Sequence, residues 1–345
     1  MKNMEKYLVT GASGYIASWI VRYLLERGES VNGTVRSMAD MAKITHLLDL
    51  KKKYPDRLNL FEADLRKKES FRKAMEDCTV VIHTASPFFI TKIKDPQKDL
   101  ILPALEGTRS ILTLAGEYPA IRRIVVTSSV AAIYSDAADI YRAKKNRFDE
   151  SQWNTVSDEK HNPYQYSKTL AEREAWKIAE AQTQWKLAVI NPGFVLGPSL
   201  SKRVDSTSID TMRSLINGKF RTGAPDLYFG VVDVRDVAMA HILAATQGDA
   251  AGRHILVGHG ASVLDMAKIL RGNFPKLPIP KSSVPKFMLY LVGPLMGFSW
   301  KFINLNYGIE YTFDNSRSLR LGVKYHPLKE TLVDHAEQLI RDRLV

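Results

Sequence analysis

Residues 7–17 read Tyr-Leu-Val-Thr-Gly-Ala-Ser-Gly-Tyr-Ile-Ala, and the rest of the chain is read outward from them. Tyr7–Thr10 is a short apolar run that predicts a strand, and Ile16–Arg27 carries a helical period that Gly28 stops. Between them, Gly11 permits a tight turn, Gly14 lets the backbone approach a pyrophosphate, and Ala17 lets the helix pack closely on the strand. The first helical turn then offers unpaired N–H groups and a partial positive charge to an anion. Gly11, Ser13, Gly14, Tyr15 and Ile16 are accordingly candidate contacts to a dinucleotide.

Downstream, short β-rich runs alternate with longer helical stretches. Strands are expected at Ser30–Val35, Leu58–Glu62, Val80–Thr84, Ile124–Ser128 and Leu187–Asn191, and helices at Ser70–Glu76, Pro103–Tyr118 and Ser167–Ala181. This rhythm implies right-handed crossovers and a doubly wound parallel sheet of Rossmann type, with strands apolar throughout because both faces are covered. After Pro192 the rhythm breaks. Pro198–Asp226 reads as loops around a helix near Ile209–Asn217, and Val231–Val234 and His254–Val257 read as further strands, with a helix over Val237–Ala245 between them. Pro275–Pro285 holds four prolines in eleven residues and predicts an extended connector. The expected division is a dinucleotide-binding unit of residues 1–190 with approximately 231–257, and a smaller substrate-binding lobe of 191–230 and 258–345. That lobe would roof the carboxyl edge of the sheet, where open α/β sheets bind ligands.

The end of the second strand selects the cofactor. A carboxylate there would bind a ribose 2′-hydroxyl, but the chain reads Val35-Arg36-Ser37. Arg36 offers a planar guanidinium for a 2′-phosphate, and Lys43 a second positive charge, so NADP(H) is the expected cofactor. Asp64 and Leu65 follow the third strand and would border the adenine. Thr84, Ala85 and Ser86 follow the fourth and would pass the middle of the cofactor. His83 reads as a packed or supporting histidine.

Tyr164-Gln165-Tyr166-Ser167-Lys168 sets a tyrosine four residues before a lysine, which stacks both on one helix face. A free phenol titrates near pH 10, and a neighbouring ammonium would favour phenolate and bring that group toward working range as an acid–base catalyst. The same spacing recurs at Tyr141…Lys145 and Tyr325…Lys329, but only Tyr164…Lys168 precedes a long helix followed by a buried strand. Ser129 closes the fifth strand, and its hydroxyl can hold a substrate carbonyl oxygen as charge develops on it. Ser129, Tyr164 and Lys168 are the candidate catalytic residues.

Together these residues resemble the extended short-chain dehydrogenase/reductases, in the branch of dihydroflavonol reductases, cinnamoyl-CoA reductases and aldehyde reductases. The resemblance runs through Val9–Trp19, Thr34–Ser37, His46–Leu50, Arg122–Ile133, Tyr164–Glu172, Asn191–Pro198, Val231–His241 and Asp314–Tyr325. It implies that Pro192, Gly193, Phe194 and Val195 bind the nicotinamide amide, alongside the roles already given to Ser129, Tyr164, Lys168 and Arg36. Two departures bear on substrate. Tyr134 stands where plant dihydroflavonol reductases carry an asparagine, and Asn162–Lys168 reads NPYQYSK where cinnamoyl-CoA reductases show an NWYCYAK-like signature. The resemblance implies a ketone or aldehyde with an apolar or aromatic body, contacted by Ser86, Phe88, Ser129, Tyr134 and Tyr164.

Composition excludes several other classes. A net charge of +12 is spread along the chain, with short basic runs only at Lys51–Lys53 and Arg142–Arg147, and no nucleic-acid motif accompanies it. The eight histidines form no ligand-spaced cluster, so no metal is expected. Cys78 is the single cysteine, which suits a reducing compartment, and the first strand follows too soon after Met1 for a signal peptide, so a cytoplasmic monomer or homodimer is expected. Phe287–Trp300 is apolar but is broken by Gly293, Pro294 and Gly297 and too short to span a bilayer. It is expected to be buried or to cover the pocket. Two other functions fit the same residues: a nucleotide-sugar epimerase or dehydratase, which regenerates its cofactor within each turnover, and a non-catalytic NADP(H) sensor, which an intact Ser–Tyr–Lys set disfavours.

Overall fold

Alternate burial along the strands builds two cores on one sheet. Tyr7 and Val9 join Val31, Ile82, Val125 and Ile190 on one face, while Leu8, Val81, Ile124 and Val189 fill the other. In the structure, a computed structural model that describes residues 5–86, 94–202, 204, 206–293 and 297–345, these strands form a seven-stranded sheet. They are β1 (Lys6–Thr10), β2 (Ser30–Val35), β3 (Leu58–Glu62), β4 (Val80–His83), β5 (Arg123–Thr127), β6 (Lys186–Pro192) and β9 (Gly252–Leu256). Their order is β3-β2-β1-β4-β5-β6-β9, and every pairing is parallel. The doubly wound Rossmann arrangement follows, with the strand order reversing between β1 and β4.

On the first face lie α1 (Tyr15–Glu26), α2 (Met41–Lys53) and α7 (Val234–Thr246), packed through Ile20, Leu24, Ile44, Leu47 and Val237. The second face is covered by α3 (Arg72–Met75), α4 (Leu102–Ala115) and α5 (Pro163–Glu180), through Met75, Ile111, Leu112 and Ala175. Cys78 lies in this second core, where burial pushes its thiol up to about 12 and leaves it a packing residue.

A second sheet of three strands lies beyond β6. It holds β7 (Phe194–Leu196), β8 (Tyr228–Asp233) and β10 (His259–Ser262) in the order β10-β8-β7, with β8 antiparallel to β10 and parallel to β7. Gly193 separates β6 from β7 and makes the crossing possible. A Cβ there would meet the Gly230 carbonyl oxygen at 2.1 Å, so only glycine lets β7 leave the main sheet against β8. The stretch 231–257 therefore divides between the sheets, because β8 pairs with the displaced β7 while β9 returns to β6.

A third core joins this sheet to α6 (Thr207–Ile216), α8 (Val263–Asn273) and α12 (Leu328–Arg341). Three further helices are short: α9 (Lys286–Val292), α10 (Trp300–Asn306) and α11 (Ser316–Arg320). The apolar segment around α9 departs from expectation. Leu289 is buried against Ile303 and Tyr307, with Tyr290 and Phe298 partly buried beside it, while Phe287 and Leu291 are 67 % and 75 % exposed and Trp300 is 62 % exposed. Two turns of helix have one inward face, and residues four apart share the outward one. No helix among the described residues is long and apolar enough to cross a membrane.

Candidate active site

The glycine turn closes on the strand beside it. Gly11 has a φ of +66°, and a Cβ there would stand 3.1 Å from the Ala85 backbone. Its N–H donates to Thr34 Oγ1 at 3.2 Å, and Ala12 N–H to the Thr34 carbonyl at 2.7 Å. Gly14 caps α1 without a side-chain hydrogen bond, so the first-turn N–H groups of α1 are left to an anion. Tyr15 turns its hydroxyl onto the Gly197 carbonyl, which ties this turn to the exit of β7. A pyrophosphate fits here because no Cβ fills the cradle and the helix supplies the donors.

Thr10, at the end of β1, organises the opposite rim. Its hydroxyl accepts from the N–H groups of Thr84 and Ala85 at 3.2 and 3.1 Å and bonds His83 Nδ1 at 2.9 Å. Burial and the charge of Lys168 drag His83 down to about 3, so it is neutral and structural. Arg36 is exposed just past the carboxyl end of β2, near enough to Asp64 for its charge to help lower that carboxyl. Lys43 pairs with Asp40 at 3.3 Å on the open surface, a contact weak enough to exchange for a phosphate. Asp64 is occupied by Arg66 at 2.6 Å, which holds its carboxyl down at about 2; Leu65 packs on the α4 backbone at Gly107.

The three candidate catalytic residues converge at the carboxyl edge. Ser129 caps a turn after β5, where its Oγ accepts from Ala131 N–H at 3.1 Å, and it hydrogen-bonds to the Tyr164 phenol. Tyr164 lies in the first turn of α5, entered through Asn162 in the left-handed region and Pro163. Lys168, one turn on, is buried and donates to Ser86 Oγ at 3.3 Å. Burial pushes the Tyr164 phenol up to about 12 against the pull of Ser129, and lowers Lys168 to about 8. This corrects one expectation. Burial is the larger influence on the phenol and holds it above the neutral range, so the tyrosine is protonated there. The competing tyrosines lie elsewhere: Tyr141 is 72 % exposed, and Tyr325 bonds Ser318 Oγ at 2.6 Å with Lys329 in solvent.

Pro192 ends β6, and Phe194 and Val195 begin β7, so with Gly193 they form the switch between the sheets. Gly193 N–H donates to the Leu256 carbonyl at 3.0 Å. Tyr134 stacks on Phe148 with ring centroids 4.5 Å apart, and its hydroxyl bonds that of Tyr311 at 3.0 Å. Phe88, expected to contact substrate, lies outside the described residues. Sequence reading missed Thr10, Asn191, Glu172 and Arg253. Each is a polar residue in an apolar run or helix face, a signal visible only once burial is known.

A parallel α/β sheet with a glycine turn after β1 and a Ser–Tyr–Lys set at its carboxyl edge defines a dinucleotide-dependent oxidoreductase of the short-chain dehydrogenase/reductase type. Residues 7–258 match the model of the NAD dependent epimerase/dehydratase family, and the chain belongs to that family, in its extended reductase branch. It is 38 % identical over 337 residues to cinnamoyl-CoA reductase CAD2 of Medicago truncatula, covering 96 % of this chain and 94 % of that protein. It is 32 % identical over 355 residues to the NADPH-dependent methylglyoxal reductase GRE2 of Saccharomyces cerevisiae, covering 96 % and 97 %. The crystal structure of yeast methylglyoxal/isovaleraldehyde reductase Gre2 complexed with NADPH superposes with a TM-score of 0.80 at 30 % identity, over 98 % of this chain and 99 % of that one.

Proposed function

We propose that the chain catalyses reversible reduction of a ketone or aldehyde by NADPH, with Ser129, Tyr164 and Lys168 as its working side chains. One observation carries this reading: Tyr164, bonded to Ser129, shares a helix face with Lys168, which reaches the Ser86 rim of the glycine-turn crevice. The reductase relatives and the NADPH complex of Gre2 support both the cofactor and the reaction class. The α1 N-terminus with Gly11 and Gly14 would hold the pyrophosphate, Arg36 and Lys43 the 2′-phosphate, and Pro192–Val195 the amide. When bound, NADPH supplies the hydride. Ser129 Oγ donates to the substrate oxygen and stabilises charge there. Tyr164, protonated through the neutral range by burial, gives its proton to the same oxygen. Lys168 holds ribose hydroxyls and offsets the charge left on the phenolate.

The proposed division of labour gives the cofactor residues 1–190 with approximately 231–257, joined by the Pro192–Val195 switch, and gives the substrate chiefly the rest of 191–230 and 258–345. The reductase relatives, a cinnamoyl-CoA reductase among them, support a substrate with an apolar or aromatic body. A panel of aldehydes and ketones, followed by loss of NADPH absorbance, tests the reading. Alcohol should form in step with NADP⁺. Conversion of a nucleotide sugar with no net cofactor turnover would replace this reading with that of an epimerase or dehydratase.

A further inference from the structure

One turn beyond Lys168, α5 carries a second charged group that the proposed chemistry leaves unused. Glu172 is fully buried, and its Oε1 accepts from Arg253 Nε at 2.5 Å. Its Oε2 accepts from Ser128 Oγ at 2.5 Å and Asn191 Nδ2 at 2.7 Å. Asn191 Nδ2 also donates to the Ser129 carbonyl at 3.2 Å. Arg253, on β9, spends its other N–H groups on the carbonyls of Glu150, Gln152 and Ala132 at 3.0, 2.5 and 3.3 Å, and lies 3.9 Å over the Trp153 ring. Each of the three guanidinium nitrogens therefore has at least one acceptor.

Taking two charges out of water is costly, and apolar residues of equal volume would hold such a core as well or better. The pair therefore calls for a role besides stability. Its position suggests one. Lys168, Glu172, Ser128, Ser86 and His83 line one cavity, and the negative charge of Glu172 opposes the burial that lowers Lys168. The carboxylate's other donors are Trp176 Nε1 at 3.4 Å, Ser128, next to Ser129 in sequence, and Asn191, which holds the Ser129 carbonyl.

We infer that Glu172, clamped by Arg253, is a positioning residue that keeps Lys168 charged and holds Ser129 in register with Tyr164. Its kinetic consequence rests on the proposed carbonyl reduction; its effect on the charge of Lys168 does not. Among the described residues, the titratable groups around Lys168 are few. Tyr164 and Glu172 lie on its own helix, His83 faces it from β4, and His241 on α7 bonds Thr127 at the cavity wall. Burial holds His83 near 3 and His241 near 4, so both are neutral across the working range.

The test follows the Lys168 ammonium in the full chain by NMR of isotope-labelled lysine side chains, its signal identified by loss in Lys168→Met. Glu172→Gln removes the negative charge but keeps the shape. The Lys168 midpoint should fall by about one pH unit, and the alkaline limb of reductive kcat/KM should move down with it. Arg253→Met releases the carboxylate from its clamp and should displace both readings as well. If either single variant fails to fold because one buried charge is left alone, the double variant Glu172→Gln/Arg253→Met removes both charges. It should show the shift of Glu172→Gln, not the sum of the two. An unchanged Lys168 midpoint in the folded variants would overturn the inference. A shifted midpoint in a protein that reduces no carbonyl would instead strike the proposed function and leave the charge coupling standing.

Discussion

Lys168 Nζ donates to Ser86 Oγ at 3.3 Å, joining the first turns of α5 to the end of β4 across 82 positions of chain. The bond sets the ammonium at the Ser86 rim of the crevice, while burial keeps the Tyr164 phenol protonated as a proton donor.

Tyr164→Phe therefore removes the donor while keeping the ring. Reductive kcat should fall by about 10² or more, with NADPH affinity little changed in a fluorescence titration. Tyr141→Phe, on an exposed ring, should match the parent. The reverse pattern would reject Tyr164.

The pH profile has a defined sign. Burial lowers Lys168 to about 8, and the working form is the ammonium. Reductive kcat/KM should hold below that value and decline as the pH rises through about 8. Lys168→Arg, whose guanidinium keeps its proton, should lower activity and abolish that limb. A limb that persists in the arginine variant belongs to another group.

Arg36 should set cofactor preference. Losing a charged hydrogen bond to the 2′-phosphate is worth roughly 1.5–3 kcal/mol, or roughly ten- to a hundred-fold in affinity. Arg36→Ala should weaken NADPH binding by that factor and leave NADH binding nearly unchanged. An equal loss for both cofactors would remove the assignment.

Gly193→Ala should be among the costliest single methyl additions in the chain. Its Cβ would fall 2.1 Å from the Gly230 carbonyl oxygen, whereas one at Gly248 would meet nothing within 4 Å. Chemical denaturation should show a loss of about 1–3 kcal/mol or more for Gly193→Ala and under about 1 kcal/mol for Gly248→Ala. Comparable values for both would mean that the inter-sheet crossing yields easily.

The outward face of α9 separates packing from exposure. Leu289→Ala, which opens the small core with Ile303 and Tyr307, should cost about 2–5 kcal/mol. Leu291→Ser, at a residue 75 % exposed, should stay within about 0.5 kcal/mol. A large loss at Leu291 would show that this face is covered in solution.

The sequence by itself determined the parallel sheet, the glycine turn and the Ser–Tyr–Lys set, because each is written in local signals. Strand runs such as Val80–Ile82 are apolar throughout, Gly11 answers a positive φ, and a four-residue spacing on a helix fixes a shared face. Composition alone did not say which side of α9 turns inward, because an apolar segment has no polar face to mark the outside. Nor could the sequence place β7 and β8 outside the main sheet; that depends on the close approach of Gly193 to Gly230, 37 residues apart. The charges around Lys168 were likewise decided in three dimensions. Arg253 and Glu172 lie 81 positions apart in the chain and meet only because β9 closes the sheet beside β6, and burial then sets which of the neighbouring groups hold their protons.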